Sequence, residues 1–300
     1  MKRHIPEAAR VPILKHIRKD RRLLASNWLL NHRKNVHSQT GEDGILLQIF
    51  KRMAIPKAPR WCVEFGAWDG LRGSNTANLI LNYGWNGVLI EGNEAKYNAM
   101  VKNYKGIDRA YLFNEIIDVT PGAGTNTIEA VLARTPIPED LDMISIDIDS
   151  NDYYVWEGMK TYRPKVVVIE MNPNIPNDVV FVQDPDVTLN QGCSLRALVE
   201  LGKEKGYELV AATEFNGIFV RDEFFPAMGI VDNDIDAMHL PFRDGRIFQG
   251  YDGTLFNIGL APGRWALKGV EIEPTTFQVR EKDDLMFKDA ISTSLPKAET

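Results

Sequence analysis

Acidic and amide side chains stand at the carboxyl end of each of five segments of this chain that read as strands. The first ends in Glu64-Phe-Gly-Ala-Trp-Asp-Gly70, the second in Glu91-Gly-Asn93 and the third in Asp118. The fourth ends in Asp147-Ile-Asp-Ser-Asn-Asp152 and the fifth in Glu170-Met-Asn172. Packing does not ask for such groups at five strand ends, so a binding site is the first reading. Asp147, Asp149, Glu170 and Asn172 offer only oxygen ligands, which suits Mg2+ or Mn2+ rather than zinc. A divalent cation there would lower the pKa of a hydroxyl bound beside it. Asp147 and Asp149 are two residues apart and fall on one side of an extended chain, which makes both of them catalytic candidates too. The structural alternative is that Asp149 and Asp152 cap the following helix while Glu170 pairs with a nearby Arg. His37 titrates near neutrality and is a candidate general base.

Those side chains are positioned by alternating elements. Trp61–Phe65, Gly87–Glu91, Ala110–Ile117, Asp142–Ile148 and the β-branched Lys165–Glu170 read as five strands. Helices are expected between them over Asn75–Tyr83, about 94–104, 126–134 and Asp152–Lys160. Ser74 is a candidate N-cap, and Gly84 suits the position just past the helix end. A further helix runs from Ser194 to Gly206, followed by strands Tyr207–Ala212 and Gly217–Arg221. Alternation of this kind implies a parallel sheet with right-handed crossovers. The final connection is too short for a crossover, so the last two strands must be antiparallel neighbours. Upstream, Ile45, Leu46, Ile49 and Phe50 give an amphipathic helix after the turn-rich stretch 37–44.

In an open parallel sheet, ligands sit at the carboxyl ends of the strands near the switch point. The first turn here is E-x-G-x-x-x-G, not the G-x-G-x-x-G of nicotinamide enzymes. Its acid suits the ammonium end of a methionine moiety better than a pyrophosphate. Glu91 is placed to accept from ribose hydroxyls, and Asp118 to receive an adenine amino group. With Glu64, Gly66, Asp69, Gly70, Ser74 and Asn75 in the first loop and Asp147 on the fourth strand, these describe a site for S-adenosylmethionine.

Several strings carry a family likeness. S-Q-x-G-E-D-G (Ser38–Gly44), V-E-F-G-A-x-D-G (Val63–Gly70), S-N-T (Ser74–Thr76) and G-W-x-G-V-L-I-E-G (Gly84–Gly92) are four of them. S-I-D-I-D-x-N-D-Y (Ser145–Tyr153), P-K-V-V-V-I-E-x-N (Pro164–Asn172) and K-G-Y-E-L-V (Lys205–Val210) complete the set. Together they resemble the FkbM-like S-adenosylmethionine-dependent methyltransferases over roughly residues 37–221. The resemblance implies a Rossmann-like class I methyltransferase fold: a mostly parallel seven-stranded sheet with an antiparallel last strand. It also implies cofactor contacts at Glu64, Gly66, Gly70 and Glu91, and action mostly on hydroxyls of sugars and other secondary metabolites. Ser150 stands where that pattern has Gly. The expected activity is therefore metal-assisted O-methylation of a sugar or glycoconjugate hydroxyl. The alternatives are N-methylation of a small amine, with the carboxylates holding the substrate cation, or a non-catalytic cofactor-binding protein.

Composition sets the bounds. The chain has 300 residues, 44% hydrophobic and 25% charged, as in ordinary globular proteins. The net charge of −6 argues against an unselective nucleic-acid binder, but it hides a split. Residues 1–36 hold ten Lys and Arg against Glu7 and Asp20, a net +8, which leaves −14 for residues 37–300. Three parts follow: a basic helical arm (1–36), the cofactor-binding domain (37–221), and a C-terminal extension or cap (222–300) with a frayed tail. The arm could lie against anionic lipid or a lipid-linked glycan, pair with the acidic body of another subunit in a homo-oligomer, or be a solvated helix. Cys62 and Cys193 form neither a disulfide framework nor a zinc pattern. No apolar run or signal-peptide pattern is evident, so a cytoplasmic location is expected, with the inner membrane face as an option. Gln39, Glu42 and Asp43 are candidates to close over the cofactor. His239 falls in the extension where acceptor choice is expected, and Trp68 and Trp85 read as packing residues.

Overall fold

The computed structural model describes residues 25–55, 59–119, 126–239, 246–249, 251, 255–258 and 277–280. The chain divides into one compact unit over 22–240 and another made of 1–21 with 241–300. The larger unit holds a seven-stranded sheet: β1 (Trp61–Phe65), β2 (Asn86–Ile90), β3 (Ala110–Phe113), β4 (Met143–Ile146), β5 (Val166–Glu170), β6 (Tyr207–Ala212) and β7 (Asn216–Arg221). Their order across the sheet is β3-β2-β1-β4-β5-β7-β6. All neighbours are parallel except β7, which runs antiparallel to both β5 and β6. This is the Rossmann-like arrangement expected from the sequence.

The helices are α1 (Glu42–Met53), α2 (Ala77–Tyr83), α3 (Glu94–Asn103), α4 (Ile128–Leu132), α5 (Asp152–Gly158) and α6 (Leu195–Lys205). Residues Val166 to Ile169 of β5 are fully buried, as expected for a strand covered on both faces. Each such side chain contributes about 1.5–3 kcal/mol of burial. α1 turns Ile45, Leu46, Ile49, Phe50 and Met53 into the core at three- and four-residue spacing. Ser194 caps α6 by accepting from the Ala197 N–H at 3.1 Å, and Gly206 closes it at φ +77°.

Three expectations shift. The third strand stops at Phe113 rather than Ile117, because the chain then wraps the end of β2: Glu115 N–H and the Asn114 amide both donate to the Glu91 carbonyl, at 3.2 and 2.7 Å. The basic arm, whose apolar spacing reads as a helix over residues 5–34, does not continue as a helix through its last part, where Trp28–His32 is a 3-10 turn. Side-chain anchors hold that turn: the Asn27 amide donates to Ala237 O at 2.5 Å and the Trp28 indole to Met228 O at 3.0 Å. The rest of that helix, residues 5–24, lies outside the described residues. In the extension, residues 222–239 form a 3-10 turn (Asp222–Phe224), α7 (Phe225–Met228) and α8 (Ile235–Met238), with α8 against β6 and α6. The second unit carries β8 (Arg246–Gln249), β9 (Leu255–Ile258) and β10 (Phe277–Arg280) in the order β10-β9-β8, which no periodicity in the sequence had signalled.

Candidate functional site

The chain leaves β1 for β2 and β3 on one side and returns to β4 on the other, so the switch point lies between β1 and β4. Gly66 sits there at φ +83°, and a Cβ on it would fall inside the Asp147 carbonyl. Only glycine fits so close an approach. Gly70, at φ +76°, is pinned by the Tyr104 hydroxyl, which donates to its carbonyl at 2.8 Å.

Glu64 is buried and holds the loop that follows. Its carboxylate accepts from Ser74 Oγ (2.5 Å), the Asn75 N–H (2.7 Å) and Thr76 Oγ1 (2.7 Å). Ser74 Oγ accepts in turn from the Ala77 N–H at 2.9 Å, but α2 begins at Ala77 rather than Asn75 and its N-cap position is Thr76, not Ser74. Burial pushes the Glu64 carboxyl up to about 7 against the pull of these donors, and the Asp43 charge adds to the rise. Asn75 donates to Ser145 Oγ at 3.0 Å, while its buried Oδ1 has no partner among the described residues. That atom is an acceptor left for a bound donor group.

Glu91 ties the next two turns together. One oxygen accepts from the Trp68 N–H at 2.8 Å and the other from the Asn93 N–H at 2.7 Å. Each oxygen keeps a second lone pair for a ligand. Asp69 steadies its own turn, accepting from the Leu71 and Arg72 N–H groups with one oxygen, Oδ1. Asp118 is partly buried, with its N–H donating to Asn126 O at 2.9 Å, beside residues 120–125, which lie outside those described.

At the ends of β4 and β5, carboxylate oxygens of Asp147, Asp149 and Glu170 lie within 4.8 Å of one another. Glu170 Oε2 accepts the Asp149 N–H at 3.0 Å, which ties two of the three acids together. Burial first, then the neighbouring carboxylates, raises the pKa of both Asp147 and Glu170. Among the described residues no Lys, Arg or His ion pair reaches the three. The capping alternative does not hold: the N-cap position of α5 is Asn151, without a side-chain cap, and the Asp152 carboxylate instead accepts from the preceding turn, the Ile148 and Ser150 N–H groups at 2.8 and 3.1 Å. Glu170 has no Arg. Asn172 is spent on its loop: its amide donates to Gln191 O at 2.8 Å and its Oδ1 accepts from the Asn174 N–H at 3.0 Å. Ser150 is no obstacle to the turn, because the left-handed residue is Asp149, at φ +60°.

The S-Q-x-G-E-D-G segment is an anchor. One oxygen of Asp43 gathers the N–H groups of Val36, His37 and Ser38 at 2.8–2.9 Å. Glu42, fully buried, accepts from Thr40, from Thr213 Oγ1 (2.7 Å) and from the Asn216 amide (3.1 Å), clamping the segment to the β6–β7 turn. Gln39 reaches the backbone of Gly73 in the first loop. His37 is partly buried and its ring is not part of the acidic group. His239 is buried, with Nδ1 2.7 Å from Asn177 Oδ1, and burial brings its pKa down to about 4.

One residue the sequence did not single out organises the loop beyond β5. Gln183 is buried; its amide donates to Asn151 Oδ1 at 3.0 Å, and its oxygen accepts from the Gln191 and Gly192 N–H groups at 2.8 Å. Nothing in V-Q-D marks such a residue in advance. Trp85 packs on Phe50 as expected, with ring centroids 4.7 Å apart. Trp68 does not pack in the core: it is 45% exposed.

No protein-family model matches the chain, and no curated protein matches it either. Solved structures that align with it include the mitomycin 7-O-methyltransferase MmcR (15% identity, 59% of this chain and 54% of that one, TM-score 0.33). Another is the N-terminal domain of EvdMO1 with SAH bound (12% identity, 62% and 84%, TM-score 0.39). A third is a SAM-dependent methyltransferase from Aquifex aeolicus (11% identity, 60% and 89%, TM-score 0.38). This chain spans about half the length of MmcR.

Proposed function

We propose that this protein is an S-adenosylmethionine-dependent O-methyltransferase acting on a hydroxyl of a sugar or glycoconjugate with help from a divalent cation. The observation that carries the proposal is the meeting, across the switch point, of the Gly66 turn with three carboxylates that no basic side chain offsets among the described residues. The cofactor would lie over that turn. Glu91 would hold the ribose through its free lone pairs, and the buried, unpartnered Asn75 Oδ1 supplies a further acceptor.

Three hard carboxylate oxygens within 4.8 Å fit Mg2+ or Mn2+, with Asp147, Asp149 and Glu170 as the holders and Asn172 outside the set. Bound there, the cation would act as a Lewis acid that lowers the pKa of the acceptor hydroxyl. The chain's own part is to fix that geometry. Glu170 holds the Asp149 turn, Asp152 holds the same turn from below, and the Asp147–Glu170 pair presents oxygen to the site. The sugar acceptor rests on the motif resemblance. Release of S-adenosylhomocysteine with a panel of nucleotide sugars and glycan fragments tests the reading. Activity lost to EDTA and restored by Mg2+ or Mn2+ is expected. Activity indifferent to EDTA removes the cation, and turnover confined to small amines replaces the hydroxyl acceptor.

A further inference from the structure

Trp68 combines three features that do not belong together in a packing residue. It is left-handed, at φ +50°, in a turn where its neighbours Gly66 and Gly70 adopt the same region without steric cost. It is 45% exposed, whereas Ala67 beside it is 2% exposed. Its indole is held in place from outside: the Lys96 ammonium lies 3.3 Å from the ring centroid. A bulky residue persists in a strained conformation only where its surroundings over-determine it, and such residues cluster at ligand sites. Here the surroundings are the proposed ribose-binding residue itself. Glu91 accepts the Trp68 N–H with one oxygen and the Asn93 N–H with the other, so the turn after β1 and the turn after β2 share one carboxylate. Asn93 then caps α3 by accepting from the N–H of Lys96 at 3.1 Å. Backbone, ring and cation thus form one closed circuit around Glu91.

We propose that the Trp68 indole is an aromatic shelf at this rim, and that the adenosine half of the bound cofactor packs against it, with Lys96 holding the ring in register. The proposal rests on the cofactor reading above and adds a residue and a role to it. It explains why a tryptophan stands where glycine would relax the backbone: the exposed ring is covered when a purine nucleoside arrives.

Calorimetric titration with S-adenosylhomocysteine, together with thermal melts of the ligand-free protein, tests it on the wild type, Trp68→Gly and Trp68→Phe. The expected result has three parts: the wild type binds; Trp68→Gly melts no lower than wild type because the left-handed strain is gone, yet binds at least about 10-fold more weakly; and Trp68→Phe recovers most of that loss. Binding of Trp68→Gly within twofold of wild type overturns the shelf while leaving the cofactor reading intact. A clear fall in the melting temperature of Trp68→Gly also overturns it, since that marks a packing role. No binding by the wild type overturns the cofactor reading and the shelf with it.

Discussion

Glu170 Oε2 accepts the backbone N–H of Asp149 at 3.0 Å, so the end of β5 holds the turn that follows β4. One side chain therefore both offers an oxygen to the acidic group and fixes the residue that offers another. Glu170→Gln and Asp149→Asn should each lower methyl transfer by at least about 100-fold, because each removes a ligand charge while keeping the side-chain shape. Steady-state kinetics over a Mg2+ titration checks this. The loss should come with a weaker metal response, and turnover unchanged in both variants contradicts the cation.

Asp149 carries the left-handed conformation that the family pattern would have placed on a glycine at 150. Ser150→Gly should destabilise the protein by roughly 0.5–1 kcal/mol, since it adds unfolded-state freedom and relieves nothing. Asp149→Gly should leave stability unchanged or raised while still losing metal. Denaturant unfolding of the two variants distinguishes them.

Glu64 makes stability depend on pH. Its folded-state pKa, about 7, lies above its ordinary 4.5, so between those values the folded protein holds a proton that the unfolded chain does not. Stability from this group is fully present below about 4.5 and declines as pH rises toward and through 7, by on the order of 3 kcal/mol in all. Glu64→Gln should flatten that slope. Melting temperatures measured from pH 5 to 8 for both proteins, with EDTA present, check it.

Glu42→Ala should cost roughly 3 kcal/mol, because the Thr213 hydroxyl and the Asn216 amide are left buried without their acceptor. The loss should appear in urea unfolding of the free protein.

The sheet was legible because its signals are local. β-branched runs, glycines at several of the turns and a connection too short for a helix define βα units and a final hairpin whatever the rest of the chain does. The acidic strand ends were legible for the same reason: strand-end position decides where Asp147, Asp149 and Glu170 meet. What was not legible depends on partners distant in sequence. Glu42 is an anchor because Thr213 and Asn216 come to it, and Gln183 is an organiser because Asn151 does. Asn172 shared the spacing of a ligand, but its loop claims it first. Trp68 was read as packing because large aromatic residues usually are, and its left-handed backbone leaves no mark in the sequence. The three short strands between 246 and 280 follow no apolar period.

The Gly66 turn and Glu91 are proposed to form a site for an adenosyl sulfonium cofactor. Isothermal titration of the wild-type protein with S-adenosylmethionine and S-adenosylhomocysteine tests it most directly. Saturable one-to-one binding of both is expected, abolished in Glu91→Ala; absence of heat from either ligand at concentrations up to about 1 mM, where a dissociation constant would correspond to only about −4 kcal/mol, overturns the cofactor site.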